Sequence, residues 1–196
     1  KDSSMGQIIA IVNQKGGVGK TTTAVNITAA LTALGKRVLL CDFDPQANAT
    51  SGMGIHKGKC PANIYDVIIN GRDAASTVVH TRYGDVLPSG SALAGAGVEL
   101  AELENRSYVL KEALQPLAAS YDFLFIDCPP SLELLTLNSL CAAHSILIPV
   151  QCEYYALEGL SDLMATMRGV KRSLNPTLQI FGVLLTMFDG RTNFSM

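Results

Sequence analysis

A doubly wound, mainly parallel α/β sheet is the fold this sequence predicts, and three features predict it. Apolar runs of strand length alternate with segments of helical periodicity along the 196 residues. A glycine-rich turn, Lys15-Gly16-Gly17-Val18-Gly19-Lys20-Thr21-Thr22, joins the first strand to the first helix. Asp42, Asp44 and Asp127 stand where later strands leave the sheet, and ligands on such sheets gather at the carboxyl ends of the strands.

The elements follow in order. Ile8-Ile9-Ala10-Ile11-Val12 has the length and β-branching of a buried parallel strand, predicted over 8–13. A helix is expected over 20–34, and Lys36-Arg37 lead into a second strand, 38–42. Residues 45–62 read as loop, because Gly52, Gly54, Gly58 and Pro61 break any period. A short helix over 63–70 is capped by Asn63 and ended near Gly71. Minor strands at 78–79 and 85–87 precede a small-residue loop, 89–97. Helices at 98–104 and 107–119 lead to a strong strand, 123–127, then Pro129-Pro130 and a helix over 132–142. A strand at 145–150, a long helix at 156–174 and a strand at 179–187 complete the pattern. There is no internal repeat and no charged block.

Composition agrees with a sheet buried on both faces. Hydrophobic residues make up 48% and charged residues 16%, against about 25% charged in an average domain. The formal net charge of −2 gives no global basic field, so any contact with nucleic acid must come from a local patch. Five cysteines include no C-x-x-C pair, and the odd count argues against a disulfide framework and for a reducing, cytoplasmic setting. The N-terminal apolar run is too short for a signal peptide or a membrane span. Lys1 to Ser4, ahead of Met5, are expected to be a remnant of cloning, and residues 5–196 are taken as a single domain.

Strand, glycine turn and Lys-Thr opening a helix form the arrangement that holds a nucleoside triphosphate with Mg²⁺. Backbone N–H groups and the positive helix end surround the phosphates. Gly16, Gly17 and Gly19 let the main chain approach, with Val18 between them. Lys20 supplies a point charge to the β- and γ-phosphates, the Thr21 hydroxyl is placed for Mg²⁺, and the whole run from Lys15 to Thr22, with Val18 and Thr22 in it, is taken as nucleotide-binding. The bland alternative is a glycine turn carrying surface lysines.

Asp42 and Asp44 leave the second strand beside this loop, where an acid can hold the Mg²⁺ hydration shell or orient attacking water. Alternatively, Asp44-Pro45 is a turn opener. Phe123-Leu124-Phe125-Ile126-Asp127 is an apolar strand ending in one carboxylate, the Walker B pattern, whose acid reaches Mg²⁺ through water. The alternative there is an acid at a strand-to-turn boundary.

The loop departs from the ordinary G-x-x-x-x-G-K-S/T pattern by having Gln14 in place of the first glycine and Lys15 before the glycine pair. That variant resembles the deviant Walker A motif of the ParA/MinD class of P-loop ATPases. Asp42-Phe43-Asp44-Pro45-Gln46, Asp127-Cys128-Pro129-Pro130-Ser131-Leu132, Leu134-Leu135-Thr136-Leu137-Asn138 and the run from Pro149 to Leu160 resemble chromosomal ParA (Soj-type) proteins. The resemblance runs from Ile8 to the last residue. It implies that Lys15 reaches across a dimer interface, that Asp44 is needed for hydrolysis, and that the segment after Asp127 senses the γ-phosphate.

It further implies a switch for chromosome or plasmid segregation. An ATP-bound sandwich dimer binds double-stranded DNA without sequence specificity, and weak hydrolysis, stimulated by a centromere-binding ParB-type protein, resets it on the nucleoid. Arg191 after the last strand, and Arg168, Lys171 and Arg172 on the long helix, are the DNA candidates, although cations in a last turn also offset a helix dipole. Family members usually continue beyond the point corresponding to Met196, so a C-terminal part is expected to be missing. A MinD-type membrane-associated positioning ATPase is the alternative. A metabolic member of the fold, such as a cluster-binding reductase or a ligase, is a third reading.

Overall fold

Alternate residues of the same strands enter opposite cores, which is why the apolar runs are continuous. The computed structural model describes residues 6–152 and 156–187. In β1 (Gln7–Ile11), Ile8 and Ala10 join the larger core, while Ile9 and Ile11 join the smaller one. β2 (Val38–Asp42) and β5 (Phe123–Asp127) divide in the same way: Leu39, Cys41, Leu124 and Ile126 face one side, Val38, Leu40 and Phe125 the other. A strand covered on both faces has no polar side to alternate.

The sheet has seven strands in the order β3-β4-β2-β5-β1-β6-β7. β3 (Val79–Thr81) runs antiparallel to β4 (Gly84–Leu87), and every other pairing is parallel, including those of β6 (Ser145–Gln151) and β7 (Gln179–Thr186). β1 lies between β5 and β6, with Gln7 opposite Phe123 and Ile9 opposite Ser145.

α1 (Lys20–Ala33) covers the smaller core with Ala24, Val25, Ile27 and Leu31. It stops where Gly35 takes φ +78° and Lys36 N–H reaches back to the Leu31 carbonyl, a geometry that favours glycine. The larger core is covered by α3 (Ile64–Ile68), α4 (Ala96–Ala101), α5 (Val109–Leu114), α6 (Leu134–Ala142) and α7 (Ala156–Ser173). At the far edge β7 leaves Phe181 66% and Leu185 57% exposed.

Two expectations are refined and a third holds. Asn48–Gly52 forms a short helix, α2, inside the stretch read as loop; it begins after Ala47, whose φ is +53°, and buries Ala49 and Thr50. The helix expected over 107–119 is α5 followed by a 3₁₀ turn over Gln115–Ser120, because Pro116 removes a donor from the ladder. Asn63 caps α3 as expected, with Asp66 answering in a capping box.

Candidate functional site

The glycine turn is fixed at its entrance by Asn13, buried just beyond β1. Its Nδ2 donates to the Pro149 carbonyl at 2.8 Å, and its Oδ1 accepts the Lys15 N–H at 3.0 Å. Val18 buries its side chain, and its carbonyl accepts a 2.7 Å hydrogen bond from the Thr186 hydroxyl at the end of β7. Gly17 (φ +74°) and Gly19 (φ +93°) take left-handed conformations that glycine adopts without strain. A Cβ on Gly19 would stand 3.4 Å from the Thr186 methyl.

α1 begins at this turn, so Lys20 and Thr21 enter a fixed frame. Lys20 is buried, and Nζ donates to the Lys15 carbonyl at 2.9 Å. Burial lowers its pKa, opposed by the charges of Asp127, Cys128 and Asp44. Thr21 Oγ1 donates to Asp127 Oδ2 at 2.7 Å. The other oxygen of Asp127, Oδ1, is buried with no hydrogen-bond partner among the described residues. Burial, then the neighbouring Asp42 charge, pushes the Asp127 carboxyl up to about 7.

A cavity of about 350 Å³ opens over these groups, lined by Gly16, Gly17, Gly19, Lys20, Thr21, Thr22, Asp44, Gln46, Asn48, Pro130 and Met187. Lys15, exposed, directly precedes the lining glycines in the chain and is not itself among the lining residues. A larger cavity, about 550 Å³, adjoins it and shares Asp44, Gln46 and Pro130, with Pro129, Ser131, Glu133 and Val98 among its other walls. The smaller one is the better phosphate site, because it alone holds the glycines, the helix start and the buried ammonium. Its residues fit Mg²⁺ as well as phosphate: a hydroxyl and a buried carboxylate with an unpartnered oxygen are hard-cation donors. Among the described residues no group of three or more His, Cys, Asp or Glu could enclose a metal; Thr21 and Asp127 would supply only part of a Mg²⁺ shell, the rest coming from water and phosphate oxygens.

The acids of β2 differ in placement. Asp44 lines the cavity, its Oδ1 accepting the Gln46 N–H at 2.9 Å. Asp42 is fully buried and does not line it; Oδ2 accepts both the N–H and the hydroxyl of Thr50 at 2.7 Å, and Oδ1 accepts the Asp44 N–H at 3.2 Å. Burial raises the Asp42 carboxyl to about 6. Cys128 is buried, and burial pushes its thiol up to about 12, which suits packing rather than thiolate chemistry.

Gln14 donates to Asp162 of α7 at 3.1 Å. Further along α7, Leu163, Met167 and Val170 turn inward, leaving Arg168, Lys171 and Arg172 exposed, away from the cavity. Arg191 lies outside the described residues. Sequence reasoning missed Asn13, Thr50, Ser89 and Thr186, polar residues in ordinary surroundings whose partners are distant in the chain or come from a loop. No helix among the described residues is long and apolar enough to cross a membrane.

A family model described as an AAA domain matches residues 6–180. The chain is 54% identical over 195 residues to the chromosome partitioning protein ParA of Myxococcus xanthus, covering 98% of this chain and 69% of that protein. It is likewise 54% identical to the sporulation initiation inhibitor protein Soj of Bacillus subtilis, covering 98% and 77%. A Mycobacterium smegmatis protein described as cobyrinic acid a,c-diamide synthase superposes with a TM-score of 0.93 at 42% identity, over 97% of this chain and 78% of that one. It was crystallised with ADP and magnesium, and again with an ATP analogue and magnesium.

Proposed function

The chain belongs to the ParA/Soj family of partition proteins within the P-loop ATPases, and on that premise we propose that it is an ATP-driven switch whose ATP-bound homodimer holds DNA. The observation that carries the reading is the convergence of Lys20, Thr21 and Asp44 on one glycine-lined cavity, with Asp127 buried behind it and hydrogen-bonded to Thr21. The turn's N–H groups and the start of α1 hold the β-phosphate, and the Lys20 ammonium spans toward the γ-phosphate. Thr21 and Asp127 would hold Mg²⁺, which when bound would neutralise charge on the phosphate oxygens. Asp44 orients the attacking water, and Lys15 reaches the nucleotide of the facing protomer. Hydrolysis releases the γ-phosphate from the loop 128–132, whose two prolines restrict it to few conformations.

The DNA surface is assigned to Arg168, Lys171 and Arg172 on α7 together with Arg191, doubled by dimerisation. A ParB-type protein accelerates turnover, and the working location is the cytoplasm, on the nucleoid. The M. smegmatis likeness favours a second reading, a nucleotide-dependent amide synthase. The higher identity to partition proteins supports the first. Sedimentation with duplex DNA, in ATP and in ADP, tests it: pelleting only with ATP supports the switch, and equal pelleting in both nucleotides, or none, refutes it.

A further inference from the structure

We propose that Ser89 and Thr50, closed into a ring with the Asp42 carboxylate, are positioning residues that fix the Asp44 backbone for hydrolysis. The inference rests on the reading of Asp44 as the group that orients water. Asp44 lies two residues past the end of β2, beyond the strand ladder. Side chains hold its main chain instead. Its N–H donates to Asp42 Oδ1 at 3.2 Å, and its carbonyl accepts the Ser89 hydroxyl at 2.7 Å as well as the Ala47 N–H at 2.9 Å.

Ser89, just past β4, donates its own N–H to Thr50 Oγ1 at 3.0 Å, and Thr50 donates hydroxyl and N–H to Asp42 Oδ2, each at 2.7 Å. The ring therefore runs from Asp42 to Asp44 to Ser89 to Thr50 and back to Asp42. Asp42 and Thr50 are 0% exposed and Ser89 1%. The direction of every bond is settled by chemistry. A carbonyl only accepts, so Ser89 must donate to Asp44; an ionised carboxylate only accepts, so Thr50 must donate to Asp42 and accept from Ser89. Such a fully satisfied buried network has one arrangement and holds its members rigidly.

Neither Ser89 nor Thr50 lines the phosphate cavity. The hydroxyl of Ser89 reaches the cavity wall directly through the Asp44 carbonyl, and Thr50 reaches it through Ser89 and Asp42. Catalytic groups displaced by about 1 Å lose on the order of 100-fold in rate, and the ring ties Asp44 at once to the end of β2, to the middle of α2 and to the segment after β4.

The test measures single-turnover Mg-ATP hydrolysis, nucleotide affinity and thermal unfolding on the purified chain. Ser89→Ala and Thr50→Val should lower the hydrolysis rate about 10- to 100-fold, with ATP and ADP affinities unchanged. Thr50→Ser, which keeps the hydroxyl, should restore the rate. In an Asp44→Ala background, adding Ser89→Ala should produce no further loss, because the two act as a unit. If Ser89→Ala does not fold, the Thr50→Val and Thr50→Ser pair decides. Asp44→Ala inactive, with Thr50→Val hydrolysing at the unmodified rate, overturns the positioning role alone. Asp44→Ala fully active overturns the reading of Asp44, and this inference with it.

Discussion

Thr21 and Asp127 meet through a 2.7 Å hydrogen bond that leaves Asp127 Oδ1 buried and unpartnered among the described residues. The pair joins the first turn of α1 to the end of β5, and its energetics depend on whether a cation is present.

Without a cation the charged carboxylate is disfavoured. The folded pKa is raised to about 7, against about 3.9 when unfolded. An acid shifted upward is bound to its proton more tightly in the folded state, so stability declines as pH rises from about 4 and levels off above about 7. Asp42, raised to about 6, adds to the same trend. The metal-free chain should lose stability across that window, seen as a lower urea midpoint at pH 8 than at pH 5. Asp127→Asn should flatten the decline, and a stability that rises over this range would refute the account.

Lys20→Ala should abolish Mg-ATP binding, because it removes the buried ammonium of the phosphate cavity. ADP binding should fall with it, since the β-phosphate cradle serves both nucleotides. Calorimetry showing unchanged affinity would mean the nucleotide sits elsewhere.

Asp44→Ala should bind ATP, hydrolyse it at least about 100-fold more slowly, and accumulate as a dimer in light scattering. Gly16→Val separates the fold from the interface. Among the described residues a Cβ at Gly16 meets nothing closer than Pro130 Cβ at 4.0 Å. The variant should therefore fold and bind nucleotide yet remain monomeric, as should Lys15→Gln if it acts only across the interface. A Gly16→Val dimer with ATP would count against close approach of two glycine turns.

Replacing Arg168, Lys171 and Arg172 together with Ala should weaken binding to all duplex sequences alike. It should also reduce the slope of log affinity against log salt by about 0.9 for each DNA phosphate that is no longer neutralised. ATP turnover without DNA should survive, because none of the three lines the phosphate cavity. An unchanged slope would move the DNA surface to Arg191 or beyond.

The central strands and the glycine turn were legible because each signal is local: five apolar residues in a row, or glycines before Lys20-Thr21. α2 was not. It spans only Asn48–Gly52, shorter than any helical period can reveal, and is tied to Asp42 through Thr50. Thr186 escaped for a different reason. It meets Val18 only because β7 pairs with β6 beside β1, a relation that lies in the topology and not in any neighbourhood of the chain. The three aspartates looked alike in sequence, all ending or following strands. Their separation into one lining the cavity, one locked by Thr50 and one bonded to Thr21 depends on partners from other elements.

β1 finds its neighbours late. Its partners are β5 and β6, so Gln7 must await Phe123 and Ile9 must await Ser145. On a ribosome, where synthesis runs from the N-terminus, the strand that precedes the glycine turn emerges before both of its partners and stays unpaired until β5 has been made. Nucleotide binding then reports that the sheet has closed around its earliest segment. A nascent chain stalled before β5 should retain no ATP, however complete its glycine motif.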